Sequence, residues 1–156
     1  MARSKPRYKT FTYKNTVQWT GNRAGTVQSD GKPALSTASP PEFRGEAGKW
    51  SPEDLFVASV NSCIMTTFLA FAFREKLDFD LYESSSEGIL ERTDNGYQFT
   101  KIFVRPTIRV ATEEAVEMAE KILHDSHDKC LISNSITGET IIEPNIVVSE
   151  RHFNLV

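Results

Sequence analysis

The chain has 156 residues, 39% hydrophobic and 25% charged, the size and mixture of one soluble globular domain built on one core. A formal net charge of -3 and a pI near 5.7 give no general attraction to phosphate, which argues against nucleic acid or an anionic membrane as a partner. Two cysteines are too few for a disulfide scaffold, and no apolar stretch follows the start as a secretory signal requires, so the expected compartment is the reducing cytoplasm.

The first fourteen residues carry Arg3, Lys5, Arg7, Lys9 and Lys14 without an acid. Their alternation with Tyr8, Phe11 and Tyr13 reads as a lysine-guarded edge strand, and strands are predicted from Arg7 to Asp30. Phe11, Tyr13, Val17 and Trp19 supply the apolar beats, and Gly21-Asn22-Arg23-Ala24-Gly25 supplies a turn. From Gly31 to Trp50, Pro33, Pro40, Pro41, Gly45 and Gly48 predict a long loop, and loops of that length inside a compact domain are often functional.

At Ser51 the pattern becomes helical. Ser51 is placed to cap, Pro52 suits the first helical position, and Glu53 and Asp54 put acid where the helix dipole favours it. No charge then appears from Leu55 to Phe73, and Arg74, Glu75 and Lys76 close the segment. A helix apolar on nearly every side must be buried on nearly every side. Its length would also suit a membrane span. Ser59, Asn61, Ser62, Thr66 and Thr67 lie in its middle, however, and the remaining chain offers half-buried strands to cover it, so a central core helix is expected.

Residues 80–110 predict a long hairpin turning at Asp94-Asn95-Gly96, with Ile102, Val104, Ile108 and Val110 on one face and Arg105, Thr107 and Arg109 on the other. A second helix runs from near Thr112 to near Cys130, its apolar side made by Val116, Ala119, Ile122 and Leu123. One last strand is expected over 140–149. Together these predict a single α+β domain over residues 1–156, a mostly antiparallel sheet wrapped around a long apolar helix and a second amphipathic one.

Cys63 and Cys130 are 67 positions apart. Cys63 stands about three turns into the first helix, too far for the terminal dipole to ionise it, and apolar neighbours raise a thiol pKa. A cysteine so placed is usually an inert small hydrophobe, and a reactive Cys63 requires a nearby cation.

The run Ser51-Pro52-Glu53-Asp54-Leu55-Phe56-Val57-Ala58 leading to Ser62-Cys63, followed by a helix closing on His127-Asp128-Lys129-Cys130, resembles the OsmC/Ohr family of osmotically inducible and organic-hydroperoxide-resistance proteins. The resemblance implies an OsmC-like intertwined dimer and a cysteine-based peroxidase that needs no cofactor and no metal, with a hydroperoxide as substrate and an external dithiol as reductant. It implies that Cys63 is the peroxidatic thiolate, that Cys130 resolves it, and that Glu53 holds an arginine against the reactive sulfur. Arg23 matches the arginine position of the organic-hydroperoxide branch and Arg44 lies near the loop used by the osmotically inducible branch, so the arginine is one of these two. Leu131-Ile132-Ser133 follow the second cysteine, where the better-known members have proline directly after it.

The residue types fit that chemistry without the name. A thiolate attacks the O–O bond, and a guanidinium both ionises the thiol and stabilises the leaving oxygen. Glu53 and Cys63 are separated by roughly 15 Å along an ideal helix and about 80° around it, which makes sharing one arginine within one chain difficult. Antiparallel packing of two such helices about a two-fold axis would bring Glu53 of one copy beside Cys63 of the other. Aromatic residues around Cys63 favour organic over inorganic peroxide.

Three other functions fit parts of the pattern. His124, His127 and Cys130 at i, i+3 and i+6 could meet a metal. A pocket near Phe68, Phe71 and Phe73 could carry an apolar ligand with no catalysis. A hydrolase pairing Cys63 with His124, His127 or His152 has the least support, because every histidine falls in the last third of the chain.

Overall fold

The computed structural model of the chain describes residues 8–149. Their packing forms two compact units, one ending at Glu53 and the other beginning at Asp54.

The first unit is a three-stranded antiparallel sheet of β1 (Thr16–Gly21), β2 (Ala24–Gln28) and β3 (Leu35–Ala38), in that order. Gly21 and Asn22 turn the chain between β1 and β2 at φ 120 and 44, values that glycine and asparagine tolerate best. The expected strand before Thr16 does not form: residues 8–15 carry no regular structure, and Tyr8, Phe11 and Tyr13 are exposed. Thr16 pairs with Gln28, the last residue of β2, so nothing upstream has a ladder partner. Arg3, Lys5 and Arg7 lie outside the described residues.

The expected loop from Gly31 contains β3 and a 3-10 turn at Pro41–Phe43. Pairing of Leu35 with Val27 and of Ala38 with Ala24 overrides the flanking prolines, which mask so short a strand in the sequence. The Ala38 N–H also bonds the Trp50 carbonyl at 3.0 Å, tying the end of the loop to the sheet edge.

The second unit carries α1 (Pro52–Glu75) from Asp54 onward, β4 (Phe79–Thr93), β5 (Gly96–Val110), α2 (Glu114–Lys129), β6 (Glu139–Ile142) and β7 (Asn145–Val148). β4 and β5 form the predicted hairpin, antiparallel from Thr93↔Gly96 down to Phe79↔Val110. One face of β5 is buried at every second residue, from Ile102 to Val110. Arg105 on the other face pairs with Glu143 at 2.7 Å and Glu87 at 3.0 Å, and Arg109 pairs with Asp80 at 2.7 Å.

The single final strand expected over 140–149 is two strands, both parallel to β5. Glu143-Pro144 interrupts them, since proline cannot donate to a ladder. Pro106, whose missing N–H would otherwise break the sheet, lies on β5 between the stretch paired with β6 and the stretch paired with β7.

By length and composition α1 could cross a membrane. Here Val60, Ile64, Phe68 and Ala72 form a buried stripe at four-residue spacing, packed in one core with Ile102, Val104, Ile108 and Val110 of β5 and with Ala119, Ile122 and Leu123 of α2. Phe68 meets the rings of Phe79 and Tyr82 with centroids 5.6 and 5.1 Å away. Asn61 donates to the Ser84 carbonyl of β4 at 3.3 Å, so the polar side of α1 is tied to the same sheet. The opposite side is bare: Leu69 and Phe73 are exposed, Phe73 to 89%.

Candidate active site

Cys63 lies midway along α1, one residue from the buried Ile64, and packs at the edge of the core. Cys130 caps the C-terminal end of α2, where its N–H bonds the His127 carbonyl and its backbone turns to φ -64, ψ 115. Cys130 is fully buried and Cys63 partly so, and both are free thiols. Folding brings these two residues together.

The Cys63 sulfur lies near four groups able to donate a hydrogen bond. Burial pushes its pKa up, but the Cys130 thiol, the backbone N–H groups of Ile132 and Leu131, and the Thr67 hydroxyl together outweigh burial and hold it below the ordinary thiol value. Cys130 moves the other way. Burial and its bond to Cys63 raise it, against partial relief from the Ser133 hydroxyl and N–H, the latter 3.4 Å from its sulfur. Cys63 is therefore the first of the pair to ionise, and Cys130 is held as the neutral donor beside it. The groups that lower Cys63 are neutral, and no guanidinium is among them.

Thr67 follows Cys63 by four positions and so shares its helix face, a spacing that marks it in the sequence. Ser133, Leu131 and Ile132 were less legible, since they act through a turn whose shape the pattern does not specify. Their one signal is the absence of proline after Cys130, which leaves every N–H there available.

Glu53 stands in the first turn of α1, and its Oε2 is buried without a hydrogen-bond partner among the described residues. The two candidate arginines share one corner of the first unit. The Arg23 guanidinium donates to the carbonyl of Phe43, the residue before Arg44, and the Ser39 N–H bonds the Arg23 carbonyl at 3.0 Å. Arg44 itself ends the 3-10 turn in the left-handed region at φ 61.

The other functions lose their geometry. His124 is exposed with Nδ1 3.6 Å from Asp128, whereas Cys130 points into the core, and no cluster of three His, Cys, Asp or Glu able to hold a metal occurs among the described residues. Phe68 fills the core, Phe73 faces outward, and Phe71 lies 4.6 Å beneath the Arg74 guanidinium, so the three do not line one ligand pocket. The groups on Cys63 include no histidine, and His152 lies outside the described residues.

Residues 45–145 match the family model described as OsmC-like protein. Over 137 residues the chain is 31% identical to organic hydroperoxide resistance protein-like 1 of Staphylococcus saprophyticus, covering 87% of this chain and 96% of that one. It is 28% identical over 132 residues to the uncharacterised protein YmaD of Bacillus subtilis, covering 81% and 87% of the two chains. In structure it resembles an OsmC-like protein of unknown function from Vibrio cholerae, with TM-score 0.80, 25% identity and coverage of 86% of this chain and 99% of that one. An organic hydroperoxide resistance protein OsmC from Legionella pneumophila superposes with TM-score 0.69 at 26% identity, covering 89% of this chain and 100% of the other.

Proposed function

Because the chain belongs to the OsmC-like protein family, we propose that it is a thiol peroxidase that reduces organic hydroperoxides with Cys63 and Cys130. The observation that carries this reading is the nearness of the two thiols, which pairs a thiol of lowered pKa with one of raised pKa.

In this reading the Cys63 thiolate attacks the terminal oxygen of the hydroperoxide. The O–O bond breaks, the alkoxide takes a proton and leaves as an alcohol, and Cys63 becomes a sulfenic acid. The Cys130 thiol then attacks that sulfur, water leaves, and a disulfide joins α1 to the end of α2. An external dithiol returns both residues to thiols and is itself oxidised to a disulfide, so the electrons balance with no metal or organic cofactor. Phe56, Val57 and Phe71, partly buried at the edge of the core as Cys63 is, give apolar surroundings that suit an alkyl tail better than hydrogen peroxide.

A guanidinium would add charge stabilisation for the leaving oxygen, supplied by Arg23 or Arg44 and positioned by Glu53. The orphaned Glu53 oxygen supports this, because a buried carboxylate oxygen without a donor is costly. The bare Leu69 and Phe73 side of α1 supports a homodimer in which a second copy covers it and brings Glu53 near the other copy's Cys63. Two free thiols suit a reducing cytoplasm.

The test is a steady-state assay with an alkyl hydroperoxide and a dithiol, comparing wild type with Cys63→Ser and Cys130→Ser. Turnover that survives in the folded Cys63→Ser protein at the wild-type rate refutes the proposal.

A further inference from the structure

Phe99 breaks the alternation of β5. Ile102, Val104, Ile108 and Val110 are buried on the face that joins the core, so a strict two-residue beat would turn Thr100 inward and Phe99 outward with Lys101 and Phe103. The pairing with β4 slips at this point: Ile89 opposes Lys101 and Leu90 opposes Phe99, which leaves Thr100 as the extra residue of a bulge. Bulges re-aim a side chain. The Thr100 hydroxyl bonds the Glu91 carboxylate, and Phe99 turns inward to stack on Phe56 of α1, with ring centroids 4.9 Å apart and planes 23° apart.

Two glycines make room for that ring and its backbone. A Cβ on Gly88 of β4 would stand 2.8 Å from the Phe99 ring and 2.5 Å from Val57 of α1, and a Cβ on Gly138 would stand 2.5 Å from the Phe99 carbonyl oxygen. Glycine within or beside a strand marks such close approach. Phe99 is thus fixed by a bulge, a stack and two close approaches, yet both it and Phe56 are only half-buried, so part of the aromatic pair stays open.

Phe56 and Cys63 share one face of α1. Two helical turns separate them, so they lie roughly 10 Å apart along the axis and about 20° apart around it. Ser59 stands between them with a short side chain whose hydroxyl is spent on the Phe56 carbonyl at 2.6 Å. A strip of α1 therefore runs from the sulfur at one end to the aromatic pair at the other. We propose that Phe99, held against Phe56 by the bulge, is a specificity-determining residue that walls off this strip and limits the tail of a hydroperoxide reacting at Cys63 to about the length of an extended octyl chain. The proposal deepens the peroxidatic reading of Cys63 and rests on it for its substrate.

The experiment measures kcat/KM for straight-chain butyl, octyl and dodecyl hydroperoxides, each below the concentration at which it aggregates. It compares wild type with Phe99→Ala and Phe99→Leu, the latter keeping apolar bulk without the ring. Phe103→Ala is the control, because Phe103 keeps the outward beat of β5 with the Arg105 guanidinium 5.1 Å over its ring. The same three tails carried on alkyl methanethiosulfonates give a second readout that uses no peroxide. The thiolate takes the alkylthio group, a mixed disulfide forms and methanesulfinate leaves, scored at Cys63 by peptide mass spectrometry.

Wild type should favour octyl over dodecyl by on the order of tenfold in both readouts. Phe99→Ala should bring the two tails within about threefold of each other, Phe99→Leu should fall between, and Phe103→Ala should keep the wild-type ratio. A wild type that takes dodecyl as readily as octyl overturns the proposal. So does a Phe99→Leu protein with the wild-type ratio, and that variant decides the matter if the alanine one does not fold. An inactive Cys63→Ser with no cutoff in either readout would sink the wall alone. A methanethiosulfonate cutoff that moves with Phe99, in a protein whose peroxide turnover survives Cys63→Ser, would sink the peroxidase alone.

Discussion

The Cys130 thiol lies beside the sulfur of Cys63, bringing the end of one helix to the middle of another. Burial and the contact with Cys63 raise the Cys130 thiol while Cys63 is lowered, so Cys63 is the sulfur expected to act first. This order underlies each expectation about the thiols.

Alkylation of the folded protein should begin at Cys63 at a pH below that of a free cysteine and reach Cys130 only above it. The lowered Cys63 value contributes stability above its unfolded pKa, and this is lost as pH falls through the folded value. Cys130 has the opposite sign: its neutral native form costs stability as pH rises past its unfolded pKa. Unfolding in urea should bring the two profiles together, as residue-resolved mass spectrometry would show.

Cys63→Ser should lower peroxide turnover by on the order of a thousandfold or more, since the nucleophile is gone. Cys130→Ser keeps a hydroxyl donor beside Cys63, so its first turnover should stay within roughly tenfold of wild type while steady-state turnover collapses. Stopped-flow kinetics separates the two, and excess peroxide should drive Cys63 of that variant to sulfinic acid.

Arg23→Ala and Arg44→Gly distinguish the two candidate cations, glycine being chosen because Arg44 is left-handed. The arginine that faces the reacting oxygen should cost on the order of a hundredfold in kcat/KM when removed, and the other should cost little. Equal, small effects would remove the guanidinium from the mechanism and leave activation to the neutral donors.

Phe68→Ala removes a fully buried ring between Phe79 and Tyr82 and should cost about 3–5 kcal/mol, read as a lower urea midpoint. Arg105→Ala, although it breaks two ion pairs, should move that midpoint far less because those pairs are solvated.

Phe73→Glu should shift sedimentation from dimer towards monomer, because it places a charge on the bare side of α1. A wild-type protein that sediments as an active monomer would refute the shared site.

The elements legible in the sequence were those whose periodicity is long enough to resist local exceptions. The uncharged run from Leu55 to Phe73 marks α1, and the two-residue beat of Ile102, Val104, Ile108 and Val110 marks β5. Local signals misled where a distant partner decides. β3 forms between prolines because β2 offers it a ladder, residues 8–15 lack one, and Pro144 divides what reads as one strand.

The same division holds at the site. Residue chemistry alone placed Cys63 inside an apolar helix and Glu53 as an acid at its start, and the resemblance to the OsmC/Ohr family paired Cys63 with Cys130. Only tertiary structure brought Cys130 and the turn after it near Cys63 and drew Arg23 beside the carbonyl preceding Arg44. Backbone donors belong to every residue except proline, so their direction is a property of the folded turn and leaves almost no trace in the order of side chains.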